Sequence, residues 1–124
     1  MNEKEKQEAQ KEAQEVLNWC LLTYHLKLIT IKIKAIRRGK ACCNNRFISI
    51  PLWAYDRGLS YFYYYILHEV SHFICFDKFN CFGHTGVFKR IEQEVLKEFD
   101  LIPMYKKVYI NSLINGRGQE LYHI

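Results

Sequence analysis

Apolar residues recur at helical spacing near the amino terminus and again in the second half of the chain. In residues 4–24 they lie three and four positions apart along one stripe, which predicts an amphipathic first helix. Residues 61–76 are apolar almost all round, a pattern typical of a central buried helix, and Ser60 is its predicted N-cap. Residues 87–99 repeat the one-sided stripe, so a third helix is predicted there, stopped by Asp100 and Pro103.

Between the first two helices the period changes to two. In residues 28–36 isoleucines alternate with Thr and Lys, which predicts a half-buried edge strand with lysines on its open face. A second strand is predicted over residues 42–50, ended by Pro51, and it should form a hairpin with the first strand or lie beside it. Residues 107–124 are predicted to form a carboxy-terminal β-hairpin turning at Asn115-Gly116-Arg117-Gly118.

The central helix carries the sequence His68-Glu69-Val70-Ser71-His72. Side chains four residues apart share one helical face, so both imidazoles can bind one metal ion. Glu69 lies beside the first histidine, where its carboxylate can activate a water without binding the metal. His84 follows twelve residues after His72 and supplies a third ligand, which leaves a fourth position for water and substrate. The motif therefore predicts a zinc site of His68, His72 and His84, with Glu69 as the catalytic base of peptide hydrolysis.

A rival metal site uses the cysteines. Cys75, Cys81 and His84 could join a closed structural zinc site, because Cys81-x-x-His84 has a credible ligand spacing. Such a site needs a fourth ligand and leaves the two histidines of the central helix buried without a metal. His25 and His123 are interpreted as surface histidines.

Composition narrows the class of protein. A chain of 124 residues forms one domain, 1–124, and can bury a core without crosslinks. Five cysteines, an odd number without a CxxC pair, predict reduced thiols in the cytoplasm rather than a disulfide framework.

The longest apolar stretch is interrupted by the HExxH residues and is shorter than the roughly 20 residues of a membrane span. The charged amino terminus lacks the apolar core of a secretory signal. We therefore expect a cytoplasmic protein with no membrane partner.

The net charge of +5 is spread unevenly along the chain. Residues 1–15 carry five Glu and three Lys, a balance of −2, which leaves +7 for the remainder. Part of that excess follows the first predicted strand, at Lys32, Lys34, Arg37, Arg38 and Lys40. These cations predict either a face that binds DNA weakly and without sequence preference, or a solvated edge strand and turn.

Residues from about 36 to 99 resemble the SprT-like zinc metalloproteases, a Spartan-related family of zincins. The resemblance covers roughly half of the chain and lies in three parts: the alternating segment 46–50, the HExxH helix, and the block Gly83-His84-Thr85-Gly86-Val87-Phe88 that opens the next helix. It implies a compact α+β zincin fold, Zn²⁺ held by the same three histidines, and Glu69 as catalytic base. It also implies action on DNA-associated proteins.

Two features depart from, or compete with, that resemblance. Many SprT-like proteins carry a carboxy-terminal zinc ribbon with paired cysteines, and this sequence has none. The compact archaeal minigluzincins share the length and the HExxH helix but generally take Glu as the third ligand. Glu92 and Glu94 are therefore an alternative to His84.

The expected function is that of a zinc-dependent metalloendopeptidase. Its protein or peptide substrate should bind in extended form, paired with an exposed strand edge near the active-site helix. The alternative is a catalytically inert zincin-fold module that binds or inhibits another protein. The sequence does not select the group that stabilises the oxyanion among the downstream candidates, which are Tyr105, Tyr109, Tyr122 and His123.

Overall fold

The computed structural model describes residues 3–115 of the chain. This part contains five helices and three strands. In chain order they are α1 (Glu3–Thr23), β1 (Thr30–Lys34), β2 (Lys40–Cys42), β3 (Phe47–Pro51), α2 (Leu52–Asp56), α3 (Leu59–Phe79), α4 (Gly86–Glu98) and α5 (Ile102–Asn115). The mixed α+β class agrees with the sequence prediction. In this part of the chain no helix combines the length and the apolar character needed to cross a membrane.

The three strands form a sheet in the order β1-β3-β2. β1 runs parallel to β3, with Ile31 opposite Ile48, whereas β2 runs antiparallel to β3, with Ala41 also opposite Ile48. The prediction of one continuous strand over residues 42–50 is therefore wrong. A turn formed by residues 43–46 divides that stretch, because Asn44 and Asn45 favour turns and Arg46 adopts a left-handed conformation with φ 54°. The hairpin is made by β2 and β3, and β1 reaches the sheet as a parallel neighbour.

β1 is an edge strand, as its lysines predicted. Ile31 and Ile33 are buried while Lys32 and Lys34 are exposed. The outer main-chain groups of β1 are bound by the side chain of Gln10 in α1: Gln10 Nε2 donates to the Ile31 carbonyl at 2.8 Å, and the Ile33 N–H donates to Gln10 Oε1 at 3.0 Å. A side-chain amide thus takes the place of a neighbouring strand, and α1 covers this edge of the sheet.

α3 is the central helix, and its middle is buried from Tyr64 to Ser71. It begins after Gly58, whose φ of 101° suits glycine, so the prediction of Ser60 as N-cap is wrong by two residues. The short helix α2 was not predicted. It starts directly after Pro51, which is the last residue of β3 and has the extended backbone of an N-cap position.

The predicted carboxy-terminal hairpin is wrong over residues 107–115, which belong to helix α5. Leu101, Tyr105 and Val108 recur at spacings of three and four, and Leu101 and Val108 are buried in the core. α4 ends before Asp100, as predicted, and Asp100 has a left-handed φ of 57°. Pro103 lies beyond that end and does not itself stop a helix. It lies in the first turn of α5, where a proline costs no helical hydrogen bond. The rest of the predicted hairpin, residues 116–124, lies outside the described residues.

Gly39, next to the first residue of β2, packs directly against α3. Its N–H donates to the Tyr65 hydroxyl at 2.7 Å. A Cβ at this position would overlap Tyr65 Cε1 and would lie 2.9 Å from the Ser49 carbonyl oxygen, so a side chain does not fit without strain. This contact fixes the distance between β2 and α3.

We expect Gly39→Ala to lower the free energy of unfolding by about 1–3 kcal/mol, the usual cost of overpacking a filled site. Urea denaturation of the metal-free protein measures this. Gly86→Ala is the matched control, because a Cβ there meets nothing within 4 Å and alanine favours the first turn of α4. Equal stability of the Gly39 and Gly86 variants would contradict the close packing of β2 on α3.

Candidate metal centre

Two helices and the loop between them bring three histidines together. His68 and His72 lie one turn apart on α3, and His84 immediately precedes Thr85, the N-cap of α4. The ring centroids are 5.1 Å apart for His68 and His72, and 5.0 Å apart for each of the two pairs that include His84. One potential ligand atom of each ring lies within 4.8 Å of those of the other two. The three predicted ligands therefore form one cluster.

The distance between two of the ring nitrogens fits a shared metal ion. His68 Nε2 and His84 Nε2 are 3.2 Å apart. Two nitrogens bound to a tetrahedral zinc at its usual bond length lie about 3.3 Å from each other. The spacing therefore suits zinc without rearrangement of either backbone.

The loop that returns His84 to α3 depends on two left-handed residues. Asn80 ends α3 with φ 51°, and its N–H donates to the Phe76 carbonyl at 3.1 Å, the hydrogen bond of an αL helix end. The Cys81 N–H donates to the Cys75 carbonyl at 3.3 Å. Gly83 then turns the chain again with φ 74°. Thr85 caps α4 by accepting a hydrogen bond from the Phe88 N–H at 3.2 Å, so the position of His84 is fixed from both sides.

Besides the preceding His84, two residues of α4 contact the histidine cluster. Phe88, one turn after His84, is fully buried and stacks on His72 with centroids 4.3 Å apart and an interplanar angle of 22°. One turn further, Glu92 Oε2 lies 2.5 Å from His68 Nδ1, and both side chains are completely buried. His84, Phe88 and Glu92 therefore lie on the side of α4 that packs against the HExxH face of α3.

The rival ligand sets are not assembled. Glu92 contacts the Nδ1 edge of His68, away from the Nε2 atom that faces His84, and Glu94 is exposed to solvent. Cys81 Sγ donates to the Phe79 carbonyl at 3.4 Å instead of joining Cys75 and His84. Within residues 3–115 the group of three or more potential ligands consists of the three histidines.

Glu69 is a buried carboxylate beside this cluster. Only 1% of its surface is exposed, and its Oε2 atom has no hydrogen-bond partner among the side chains and main chain that the structure describes. Burial raises the pKa of Glu69 to about 7, His68 opposes the rise, and Glu92 adds to it. An orphaned acceptor with a pKa near neutrality can take up and release a proton at physiological pH.

The two histidines of α3 differ in their electrostatics. Burial, together with repulsion from His68 and His84, lowers the pKa of His72 to about 3, so this ring is neutral and keeps a lone pair for a metal. Burial also lowers the pKa of His68, but Glu92 and Glu69 raise it, and the net direction is upward. A metal that binds His68 must therefore displace any proton held there, and binding should release protons.

The cluster opens onto a cavity of about 230 Å³. It is lined at β2 by Gly39, Lys40 and Ala41, and on the α3 and α4 side by Glu69, His72, His84 and the exposed Phe82. The donor set fits a zinc ion, because three imidazoles converge and Glu69 lines the same cavity as His72 and His84.

Of the remaining histidines and tyrosines that the sequence singled out, the described ones, His25, Tyr105 and Tyr109, are not part of the cluster. His25 is exposed just after α1, as expected, whereas His123 and Tyr122 lie outside the described residues. Tyr105 and Tyr109 stack on each other in α5, with centroids 6.3 Å apart, and are absent from the described walls of the cavity. The structure does not bring these two tyrosines to the site.

The joint contact of Phe88 and Glu92 with the histidines of α3 was not predicted from the sequence, and neither was the approach of β2 to the cluster. A signal for the first was present, because His84, Phe88 and Glu92 recur every four residues at the start of a helix. No comparable signal marked β2, since its position depends on pairing with β3.

Comparison of the chain with known protein families, with curated proteins and with solved structures gives no match. A function for this protein is therefore proposed from the geometry of the site.

Proposed function

We propose that this protein is a zinc-dependent metalloendopeptidase, with His68, His72 and His84 as metal ligands and Glu69 as general base. The observation that carries the proposal is the convergence of three imidazoles next to the buried carboxylate of Glu69, which lines the same cavity as His72 and His84. Zinc held there would act as a Lewis acid, polarising a carbonyl group and activating water near neutral pH.

The protein's own groups then have separate tasks. The Glu69 carboxylate accepts the proton of the attacking water and returns it to the leaving amine, a task that suits a carboxyl group whose pKa is raised by burial to about 7. His72 contributes a neutral imidazole held by stacking on Phe88. Cleavage of an unfolded protein by the zinc-loaded chain, compared with its Glu69→Gln variant, tests the proposal.

The sheet supports binding of an extended substrate beside β2. Of the two edge strands, β1 has its outer main-chain groups bound by Gln10, whereas β2 and the glycine before it line the cavity with Gly39, Lys40 and Ala41. A peptide added beside β2 would pass the histidine cluster and be held through its main chain. Main-chain pairing accepts many side chains, so broad sequence specificity belongs to this proposal.

We also propose that the basic residues around the sheet bring the protease to DNA-associated proteins. All five are exposed: Lys32, Lys34, Arg37, Arg38 and Lys40. Lys40 lies at the wall of the cavity itself. Contacts to phosphates would be independent of sequence, with dissociation constants of about 10⁻⁴–10⁻⁶ M that weaken steeply with salt.

Charge reversal tests the DNA contact. Arg37→Glu combined with Arg38→Glu should weaken binding to single-stranded DNA in low salt by at least about 10-fold and flatten its salt dependence, because each phosphate contact contributes to the slope. Lys106→Glu with Lys107→Glu is the matched control, since both lysines are exposed on α5 and the change in net charge is identical. Equal losses in the two double variants would show that net charge alone, rather than this face, attracts DNA.

A further inference from the structure

Glu92 is a buried carboxylate for which the proposed reaction has no direct use. Its side chain is fully buried in α4, two turns after His84. Burying a carboxylate is unfavourable unless a charged or hydrogen-bonding partner compensates for the lost hydration. The compensating contact here is His68 Nδ1, at 2.5 Å. The buried carboxylate of Glu92 is thus compensated by a contact with His68, a member of the histidine cluster.

The position of this contact determines which nitrogen of His68 faces the cluster. A neutral imidazole carries one N–H and one lone pair, and a carboxylate at Nδ1 requires the N–H to be on Nδ1. The lone pair is then on Nε2, the atom that lies 3.2 Å from His84 Nε2. Glu92 therefore selects the tautomer in which His68 can bind a metal together with His84.

The same contact also limits rotation of the ring. His68 and Phe88 pack in a T-shaped arrangement, with centroids 5.1 Å apart and an interplanar angle of 76°, and Glu92 holds the Nδ1 edge of the imidazole. Because Phe88 and Glu92 occupy successive turns of α4, the helix that brings in His84 also fixes the orientation of His68.

We propose that Glu92 is a positioning residue of the metal centre: through Nδ1 of His68 it fixes the tautomer and orientation of that ligand and so raises metal affinity, without binding the metal itself. This inference rests on the metal site of the proposed function. Loss of such an outer partner typically costs about 10–100-fold in metal affinity.

Zinc affinity, measured by competition with a chromophoric chelator, tests this role. Glu92→Gln keeps the size of the side chain but replaces the charged acceptor by a neutral one, so zinc should bind about 10–100-fold more weakly. The absorption of bound Co²⁺ should keep the intensity of a tetrahedral site. Glu94→Gln, on the exposed face of the same helix, is the matched control and should bind zinc as tightly as the unchanged protein.

The outcomes separate the possible roles of Glu92. Unchanged zinc affinity in Glu92→Gln would overturn the proposal. A loss as large as that of His84→Ala, with a changed Co²⁺ spectrum, would also overturn it and identify Glu92 as a ligand. Failure of the unchanged protein to bind zinc at all would contradict the proposed function itself, which is a different result.

A second measurement needs no variant. Nitrogen-15 NMR of the zinc-loaded protein distinguishes the ring nitrogens of each histidine. We expect His68 to be bound to the metal through Nε2 and protonated at Nδ1. Metal bound at Nδ1 of His68 would overturn the proposal, even where Glu92→Gln does not fold.

Discussion

Replacing Glu69 by Gln is expected to reduce peptide hydrolysis by at least about 100-fold while zinc remains bound, since general-base catalysis typically contributes about 10²–10⁴-fold. The amide keeps the shape of the side chain but cannot accept the proton of the attacking water. No ligand is lost, because the three imidazoles of the cluster are untouched. Initial rates on an unfolded protein substrate and elemental analysis of the same samples give the two quantities.

Two comparisons decide how this result is interpreted. Glu94→Gln makes the same chemical change at an exposed position of α4 and should leave the rate unchanged. Simultaneous loss of zinc and activity in Glu69→Gln would assign a structural role to the carboxylate. A Gln variant as fast as the unchanged protein would show that Glu69 is not the base.

The second large effect concerns the metal. His84→Ala should lower zinc affinity by more than about 100-fold, because removing a direct ligand costs more than removing an outer partner of one. The ring has no substitute among the glutamates of α4, since Glu94 is exposed and Glu92 is held at His68 Nδ1. Competition with a chelator measures the dissociation constant of zinc. With the metal removed from both, the His84→Ala variant and the unchanged protein should unfold at similar urea concentrations, which shows that the variant is folded.

His25→Asn is the matched control for this histidine replacement. His25 is exposed and has φ 55°, a conformation that Asn tolerates, so neither zinc binding nor stability should change. Tight zinc binding by His84→Ala would contradict the three-histidine site. A glutamate of α4 would then be the third ligand.

The sequence predicted the helices well where the apolar period was long and regular. The predicted ranges 4–24, 61–76 and 87–99 correspond to Glu3–Thr23, Leu59–Phe79 and Gly86–Glu98. These helices bury continuous stripes, so local periodicity and tertiary packing agree. The edge character of β1 followed in the same way from its lysines.

The errors arose where long-range packing overrides local pattern. Residues 107–115 have glycines and a turn composition just beyond them, but burial of Val108 against the core favours a helix. Residues 42–50 alternate well enough for one strand, yet pairing with β1 on one side and β2 on the other requires a turn between β2 and β3. Parallel or antiparallel pairing is a property of the whole sheet, and the period does not encode it.

In the candidate site too, some features follow from local sequence pattern and others depend on long-range packing. The four-residue spacing of His68 and His72 is enough by itself to define a shared helical face. The return of His84 depends on the backbone of Asn80 and Gly83, and the contact of Glu92 with Nδ1 depends on how α4 packs on α3. Glu92 could be suspected as a ligand from sequence, but only the packing of the two helices shows which edge of His68 it contacts.

Metal-dependent cleavage tests the central claim most directly. The protein is stripped with a chelator, assayed on an unfolded protein substrate, and assayed again after one equivalent of zinc is restored. We expect no cleavage without metal, recovery of cleavage with zinc, and no recovery in Glu69→Gln. Stoichiometric zinc binding without cleavage of any unfolded or DNA-bound protein would contradict the proposed peptidase and leave the inert binding or inhibitory module as the function of this fold.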